Sequence, residues 1–329
     1  MPGQMRGTLR QALRLKEAEH IDWYYSVAEC NVLLNKTYPV IDKSFLAVLE
    51  AMGLEVKCNF ELGDFTYTYA IPSQKVVINL AHNLSDSSGV DMLSALSHTC
   101  NIGKHMTYHQ ESALNANRLG WECIHIFDWD SLFKMSLQFL PKTVLQLSEC
   151  TISEVEQGEM FLFLDMYHCR DHIDTAFDAG YAHLGIYKGD ELIYLITVGK
   201  PKYNKSYTSE IYRICSNPEF TVVGGWRALF DTYLSLYQPE SVIALRDISK
   251  MYQAPYLEMG FHLVSYTVPR KYWAKNSDRL TDGARFVAAL KPKRLENYSK
   301  CAQNLSIMLE HGYVPIHDCS SAIYEWRSK

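Results

Sequence analysis

The sequence has no apolar run approaching the ~20 residues that a helix needs to span a bilayer, so no membrane partner is expected. It has no C-x-x-C pair; its nine cysteines are scattered, and an odd number cannot all pair within one chain. That usage points to a reducing, intracellular compartment such as a host cytoplasm. The stretch Met1 to Lys16 carries Arg6, Arg10, Arg14 and Lys16 but lacks the apolar core and small-residue cleavage site of a secretory signal. Net charge is only −5, which argues against a generic binder of polyanions. What the chain does have is apolar and aromatic side chains. At 47% they are too many for a disordered chain, and 329 residues suffice for two ordinary domains.

The most ordered pattern runs from Glu191 to Val264. Glu191 to Gly199 is rich in β-branched and aromatic residues and reads as a strand. Tyr181 to Tyr187 precedes it across Lys188-Gly-Asp190, which is hairpin chemistry. Ser209 to Ser216 is a further strand. Thr221-Val-Val-Gly-Gly225 leads into a run with Trp226, Leu229, Phe230, Tyr233, Leu234 and Tyr237 on one helical face. Ser241 to Leu245 is a short buried strand, Tyr252 to Gly260 a helix stopped by glycine, and Phe261 to Val264 starts the last strand. Consecutive glycines between a strand and a helix leave backbone amides at a helix N-terminus, where phosphate can sit. Gly224 and Gly225 are therefore a candidate phosphate or cofactor turn, or simply a tight turn.

This pattern resembles the acyl-CoA N-acyltransferase (GNAT-like) fold, in which a pyrophosphate sits at such a turn. The whole chain resembles phage homing-endonuclease-type proteins, which join a very-short-patch-repair-like (PD-(D/E)XK-type) nuclease domain to a GNAT-like C-terminal domain. Val198-Gly-Lys-Pro201, Glu210-Ile-Tyr-Arg213, Val222-Val-Gly-Gly225, Gly260-Phe261, Tyr272-Trp273 and Ile316-His-Asp-Cys319 carry the resemblance. It implies an α/β (α+β) protein, a restriction-endonuclease-like core followed by a GNAT-like mixed sheet with flanking helices. The expected domains are a helical extension at 1–40, a degenerate nuclease-like domain at 41–145, a GNAT-like domain at 146–268, and a basic extension with a closing hairpin at 269–329. An active acyltransferase of this fold carries a Q/R-x-x-G-x-G/A segment. Here Val222-Val-Gly-Gly-Trp-Arg227 keeps glycines without that spacing, and bulky Trp226 is expected where a pyrophosphate needs room.

In the first half, residues 6–36 and Asp42 to Met52 read as helices, and Glu55 to Phe60, Phe65 to Ile71 and Lys75 to Leu80 as strands. Tyr108 to Leu119 reads as a helix ended by Gly120, Trp121 to Phe127 as a buried strand, and Asp130 to Leu140 as a helix. This β-β-β-α-β order is the one a restriction-type nuclease core needs. Such a core holds Mg²⁺ on two acids. The resemblance places them at Thr68 and Asn79, and neither side chain can neutralise a dication. His109 in Tyr108-His-Gln-Glu-Ser112 matches the family's catalytic histidine, its lysine having become Ser112. His109 is thus vestigial, unless Glu61, Asp64 or Asp86 supplies a relocated acid. His98, Cys100, His105 and His109, or Cys169 with His168 and His172, are alternative metal clusters weighed against ordinary polar residues; no metal is expected.

The remaining polar candidates are Lys200, Glu210, Arg213 and Asp247. Glu210 and Arg213 share a sheet face only if a bulge intervenes. Asp247 ends a buried strand, as a weak candidate catalytic acid or a helix cap. From Arg270 to Lys300 nine basic residues face three acids, interleaved with aromatics. Arg270, Lys271, Lys275, Arg279, Arg285, Lys291, Lys293 and Arg294 suit a nucleic-acid backbone, DNA before RNA. The expectation is a phage-derived binding or structural protein on a degraded nuclease scaffold, in the host cytoplasm or carried in a virion, contacting nucleic acid or phage and host proteins. The alternatives are a GNAT-like transferase using acyl-CoA, and a residual Mg²⁺ endonuclease.

Overall fold

The computed structural model describes residues 43–81, 107–127, 130, 132–169, 180–250, 254–275 and 313–328. The helix expected at 6–36 lies outside these residues, as do His98, Cys100, His105, His172, Asp86 and most of the basic segment.

The first elements are α1 (Lys43–Ala51), β1 (Lys57–Leu62), β2 (Phe65–Ile71), β3 (Val76–Ala81), α2 (Tyr108–Arg118) and β4 (Glu122–Phe127). There follow α3 (Leu132–Leu137), β5 (Thr143–Gln146), β6 (Thr151–Glu154), α4 (Gln157–Tyr167), β7 (Ala182–Lys188), β8 (Glu191–Gly199), β9 (Ser209–Ser216) and β10 (Phe220–Val223). The rest are α5 (Gly225–Tyr237), β11 (Ser241–Asp247), α6 (Ala254–Glu258), β12 (His262–Tyr266), β13 (Lys271–Lys275), β14 (Tyr313–His317) and β15 (Ser321–Arg327). No described helix is long and apolar enough to cross a membrane.

The chain divides into two compact units. One takes 1–129, 248–251 and 268–320; the other takes 130–247, 252–267 and 321–329. The boundary expected at 145 therefore falls at 129, and the expected C-terminal extension is shared between the units. Nor is there a closing hairpin. β14 pairs with β13, while β15 lies between β11 and β12 in another sheet.

In the first unit β1, β2 and β3 form an antiparallel meander, and β4 is added parallel to β3 with α2 in the crossover. Phe45 and Leu49, one turn apart on α1, are buried. The interior of β2 and β3 is buried on both faces, and the polar Thr68 and Asn79 in them are tied up by hydrogen bonds. The strand order is the expected one, yet such an order recurs among unrelated proteins and does not make a nuclease.

The second unit is a mixed seven-stranded sheet in the order β12-β15-β11-β9-β8-β7-β6, with helices on both faces. Every neighbouring pair is antiparallel except β9 and β11. On one face Leu195 of β8 and Cys215 of β9 pack with Met160, Phe163 and Leu164 of α4. On the other, Trp226 of α5 stacks on Tyr194 at 4.4 Å, and Phe230 meets Phe261 and Trp326. A separate two-stranded ladder joins β10 to β5 in parallel.

Candidate functional site

The sheet is not continuous through its middle. β9 and β11 pair over three positions only, Ser209 with Val242, Glu210 with Ile243 and Ile211 with Ala244. Beyond that each keeps its outer neighbour. β9 stays with β8 as far as Ser216, and β11 stays with β15 as far as Asp247. The cause is visible in the β8–β9 register, where Val198 opposes Ile211 and Thr197 opposes Arg213. Tyr212 is the extra residue of a β-bulge, which bends the bulged strand and increases its twist. Pairing of the two parallel strands therefore ends at Ile211 and Ala244, beside the bulge, leaving a slot in the hydrogen-bond ladder between their edges.

The bulge also decides which side chains share a face. Glu210 opposes Gly199 and Arg213 opposes Thr197, so both lie on the face of odd-numbered β8 residues. Only a bulge could bring them together, and it does. Glu210 is buried, and its Oε2 accepts the amides of Lys202 at 2.6 Å and Tyr203 at 2.8 Å. The Tyr212 ring lies over Gly199, where a Cβ would stand 2.2 Å from it, and Lys202 Nζ sits 3.7 Å from that ring's centre. Lys200 contributes its carbonyl, which accepts the Tyr212 hydroxyl at 2.7 Å.

On the other face of the sheet, α6 carries a residue that the sequence reading passed over. Tyr256, on α6, is buried with its ring stacked on Tyr324 at 5.0 Å and edge-on to Phe261. Burial pushes its hydroxyl up to about 12, against the opposing pull of the Arg246 and Arg213 charges from the two parting strands. Its spacing, four residues before Gly260-Phe261, was the signal available in the sequence. Asp247 is the last residue of β11, seven positions before α6 begins, so it does not cap that helix.

The glycine turn differs from expectation in a useful way. Gly224 takes φ +71° at the N-cap of α5 with open space around it, whereas a Cβ on Gly225 would stand 2.9 Å from Val222 Cβ. Gly225 is thus a packing glycine. Trp226 does not block the turn; it points into the core. The turn's amides are partly engaged. Val222 N–H donates to the Tyr194 hydroxyl at 3.1 Å, and Arg227 N–H to Glu258 Oε1 at 3.5 Å.

In the first unit the positions matched to nuclease chemistry do converge. Thr68 Oγ1 accepts the Leu80 amide at 3.1 Å, which joins β2 to β3. Asn79 Nδ2 donates to His125 Nε2 at 3.1 Å, and Ser112 Oγ lies 3.0 Å from the same nitrogen. Because Nε2 accepts from the amide, the ring proton belongs on Nδ1, 3.6 Å from Cys123 Sγ. The His109 ring meets that of His125 edge-on at 5.3 Å, and both are buried. Glu61 and Asp64 are exposed, and no cluster of three His, Cys, Asp or Glu able to hold a metal occurs among the described residues. Of the basic candidates, Arg270 is exposed, its amide donating to Asp318 Oδ1 at 2.8 Å. Lys271 and Lys275 lie on β13, while Arg279, Arg285, Lys291, Lys293 and Arg294 fall outside the described residues.

No protein-family model matches the chain, and no curated protein does. Solved structures similar to it include a putative acetyltransferase from Salmonella typhimurium with acetyl-CoA, at 12% identity and TM-score 0.32, covering 54% of this chain and 94% of that one. Another is the ribosomal-protein-S18-alanine N-acetyltransferase of Escherichia coli, at 10% identity and TM-score 0.32, covering 54% of this chain and 93% of the other. A third is the polyamine N-acetyltransferase of Drosophila melanogaster, at 9% identity and TM-score 0.34, covering 54% of this chain and all of that one. Similarity at this level fixes neither activity nor ligand.

Proposed function

We propose that the seven-stranded unit transfers an acyl group from a thioester to an amine. The observation that carries this reading is the slot that the Tyr212 bulge opens between β9 and β11. A gap of this kind, bounded by two strand edges, suits an extended donor arm that carries its own amides, since such an arm can lie along a strand as another strand would. The fit is incomplete at the glycine turn, where the Glu258 carboxylate already stands 3.5 Å from the Arg227 amide.

The chemistry asks for one group to take a proton and another to give one. As the amine attacks the thioester carbonyl, its proton passes to Glu210, whose second carboxylate oxygen has no hydrogen bond among the described residues. As the carbon–sulfur bond breaks, the departing sulfur takes the Tyr256 proton. Tyr256 stays protonated throughout the neutral range and so has a proton to give, while its burial makes it a weaker acid than a free tyrosine. The test is thiol release from acetyl-pantetheine or acetyl-CoA against a panel of amines. Glu210→Gln and Tyr256→Phe should each slow turnover about a hundredfold while the protein stays folded. No thiol release, with no thermal shift from either donor, would sink the reading.

We further infer that the first unit is a nuclease-derived scaffold without hydrolytic chemistry. What supports this is the convergence of Thr68, Asn79, His109 and Ser112 on one buried, carboxylate-free cluster. Plasmid incubation with Mg²⁺ and Mn²⁺ should leave the DNA intact; cleavage abolished by His109→Ala would overturn it.

A further inference from the structure

Resting on the acyl-transfer reading, we propose that the thioester donor is recognised through its extended amide arm and not through a nucleotide diphosphate, with Glu258 as the residue that sets this selectivity. The N-terminus of a thirteen-residue helix such as α5 is the natural seat for a diphosphate, because several amides and the positive end of the helix dipole converge there. In this chain a carboxylate of its own stands at that end: Glu258 Oε1 lies 3.5 Å from the Arg227 amide, while the Ala228 amide makes the first regular bond of the helix to the Gly224 carbonyl at 3.0 Å. The field of Glu258 reaches Tyr194 as well and helps hold its hydroxyl above the usual range, behind the larger effect of burial.

The one cation in the first turn is also turned away. The Arg227 guanidinium runs along α5 to Asp231 Oδ2 at 2.8 Å, and this bond raises its already high pKa. A diphosphate arriving at this end would meet the Glu258 carboxylate with no uncommitted cation from the first turn of α5 to offset it. An uncharged pantetheine-type arm meets no such penalty.

The experiment is titration calorimetry of the full chain with acetyl-pantetheine, acetyl-CoA and ADP, repeated on Glu258→Gln. We expect the two thioesters to bind wild type within about threefold of each other, and ADP not to compete. Glu258→Gln should tighten acetyl-CoA about tenfold at low salt, less at high salt, and leave acetyl-pantetheine unchanged. Wild-type acetyl-CoA binding tenfold or more tighter than acetyl-pantetheine, or competition by ADP, overturns this proposal and leaves the acyl-transfer reading standing. Binding of neither thioester overturns both.

Discussion

At the scale of single residues, neighbouring positions that look alike in the sequence do different work. Gly224 and Gly225 were one candidate phosphate turn on paper, but backbone and packing separate them. An alanine at 224 meets open space and pays only for a left-handed conformation, about 1–2 kcal/mol. An alanine at 225 must displace Val222 Cβ, Ile186 Cδ1 and Tyr194 Cε2, a cost of roughly 1–3 kcal/mol from overpacking. Chemical denaturation should show two-state loss of stability in both variants, with thioester affinity untouched by Gly224→Ala. Thr68 makes the same point. Read as the place of a lost acid, it proves to be the acceptor for the Leu80 amide at the β2–β3 junction. Thr68→Val keeps the shape and strands that donor, so it should cost about 1–3 kcal/mol of unfolding free energy. Periodicity could not have revealed either role, because each depends on an atom brought in from elsewhere in the chain.

At the scale of elements, most of the architecture was legible. β9 was placed at its observed ends, and the hairpin across Gly189, the helix after Gly225 and the glycine stop at Gly260 follow from local chemistry. The slot was not legible, because a bulge is a property of two strands in register and one strand's alternation does not disclose it. The edge of the sheet offers a test that only the paired structure suggests. β12 is tied to β15 by His262 Nε2 and Glu325 Oε1 at 2.8 Å, while Glu325 Oε2 accepts the Tyr207 hydroxyl at 2.6 Å. The Tyr207 hydrogen bond, with smaller help from His262 and Arg327, holds the Glu325 carboxyl below its ordinary value. A depressed carboxyl contributes stability above its unfolded pKa, and that contribution disappears as pH falls through the folded value. Thermal unfolding followed against pH should therefore show wild type losing part of its margin below about pH 4.5, with a flatter profile in Glu325→Gln. Tyr207→Phe, which removes the stronger partner, should cost about 1 kcal/mol at neutral pH. A wild-type profile parallel to that of Glu325→Gln would mean that this tie carries no stability.

At the scale of the whole molecule, the chain does not run through one domain and then the next. The sequence suggested a transferase-like domain closed by residue 268 and a basic extension with a closing hairpin at 269–329, since charge changes sharply near Arg270. The fold instead returns for its last strand. β15 pairs along all of β11 and along β12, so it is an interior strand supplied from the far end of the chain. Tyr324 gives Tyr256 its stacking partner, and Trp326 packs against Phe230. A protein ending at Ser320 would leave β12 without its neighbour among the described strands and would expose the apolar side of α5 and α6 to water. Losing a central strand removes more than a local contact, because the burial of Tyr256, Phe230 and Phe261 is cooperative with it. We expect truncation after residue 320 to abolish the cooperative thermal transition of the seven-stranded unit and thioester binding together. A fragment covering 146–268 should fail to fold for the same reason. Restoring Ser321–Arg327 as a separate peptide should recover binding in proportion to its concentration, as a strand completing a sheet edge does. A truncated protein that unfolds cooperatively at the wild-type temperature would show that the sheet closes without β15, and that the sequence had placed the boundary correctly.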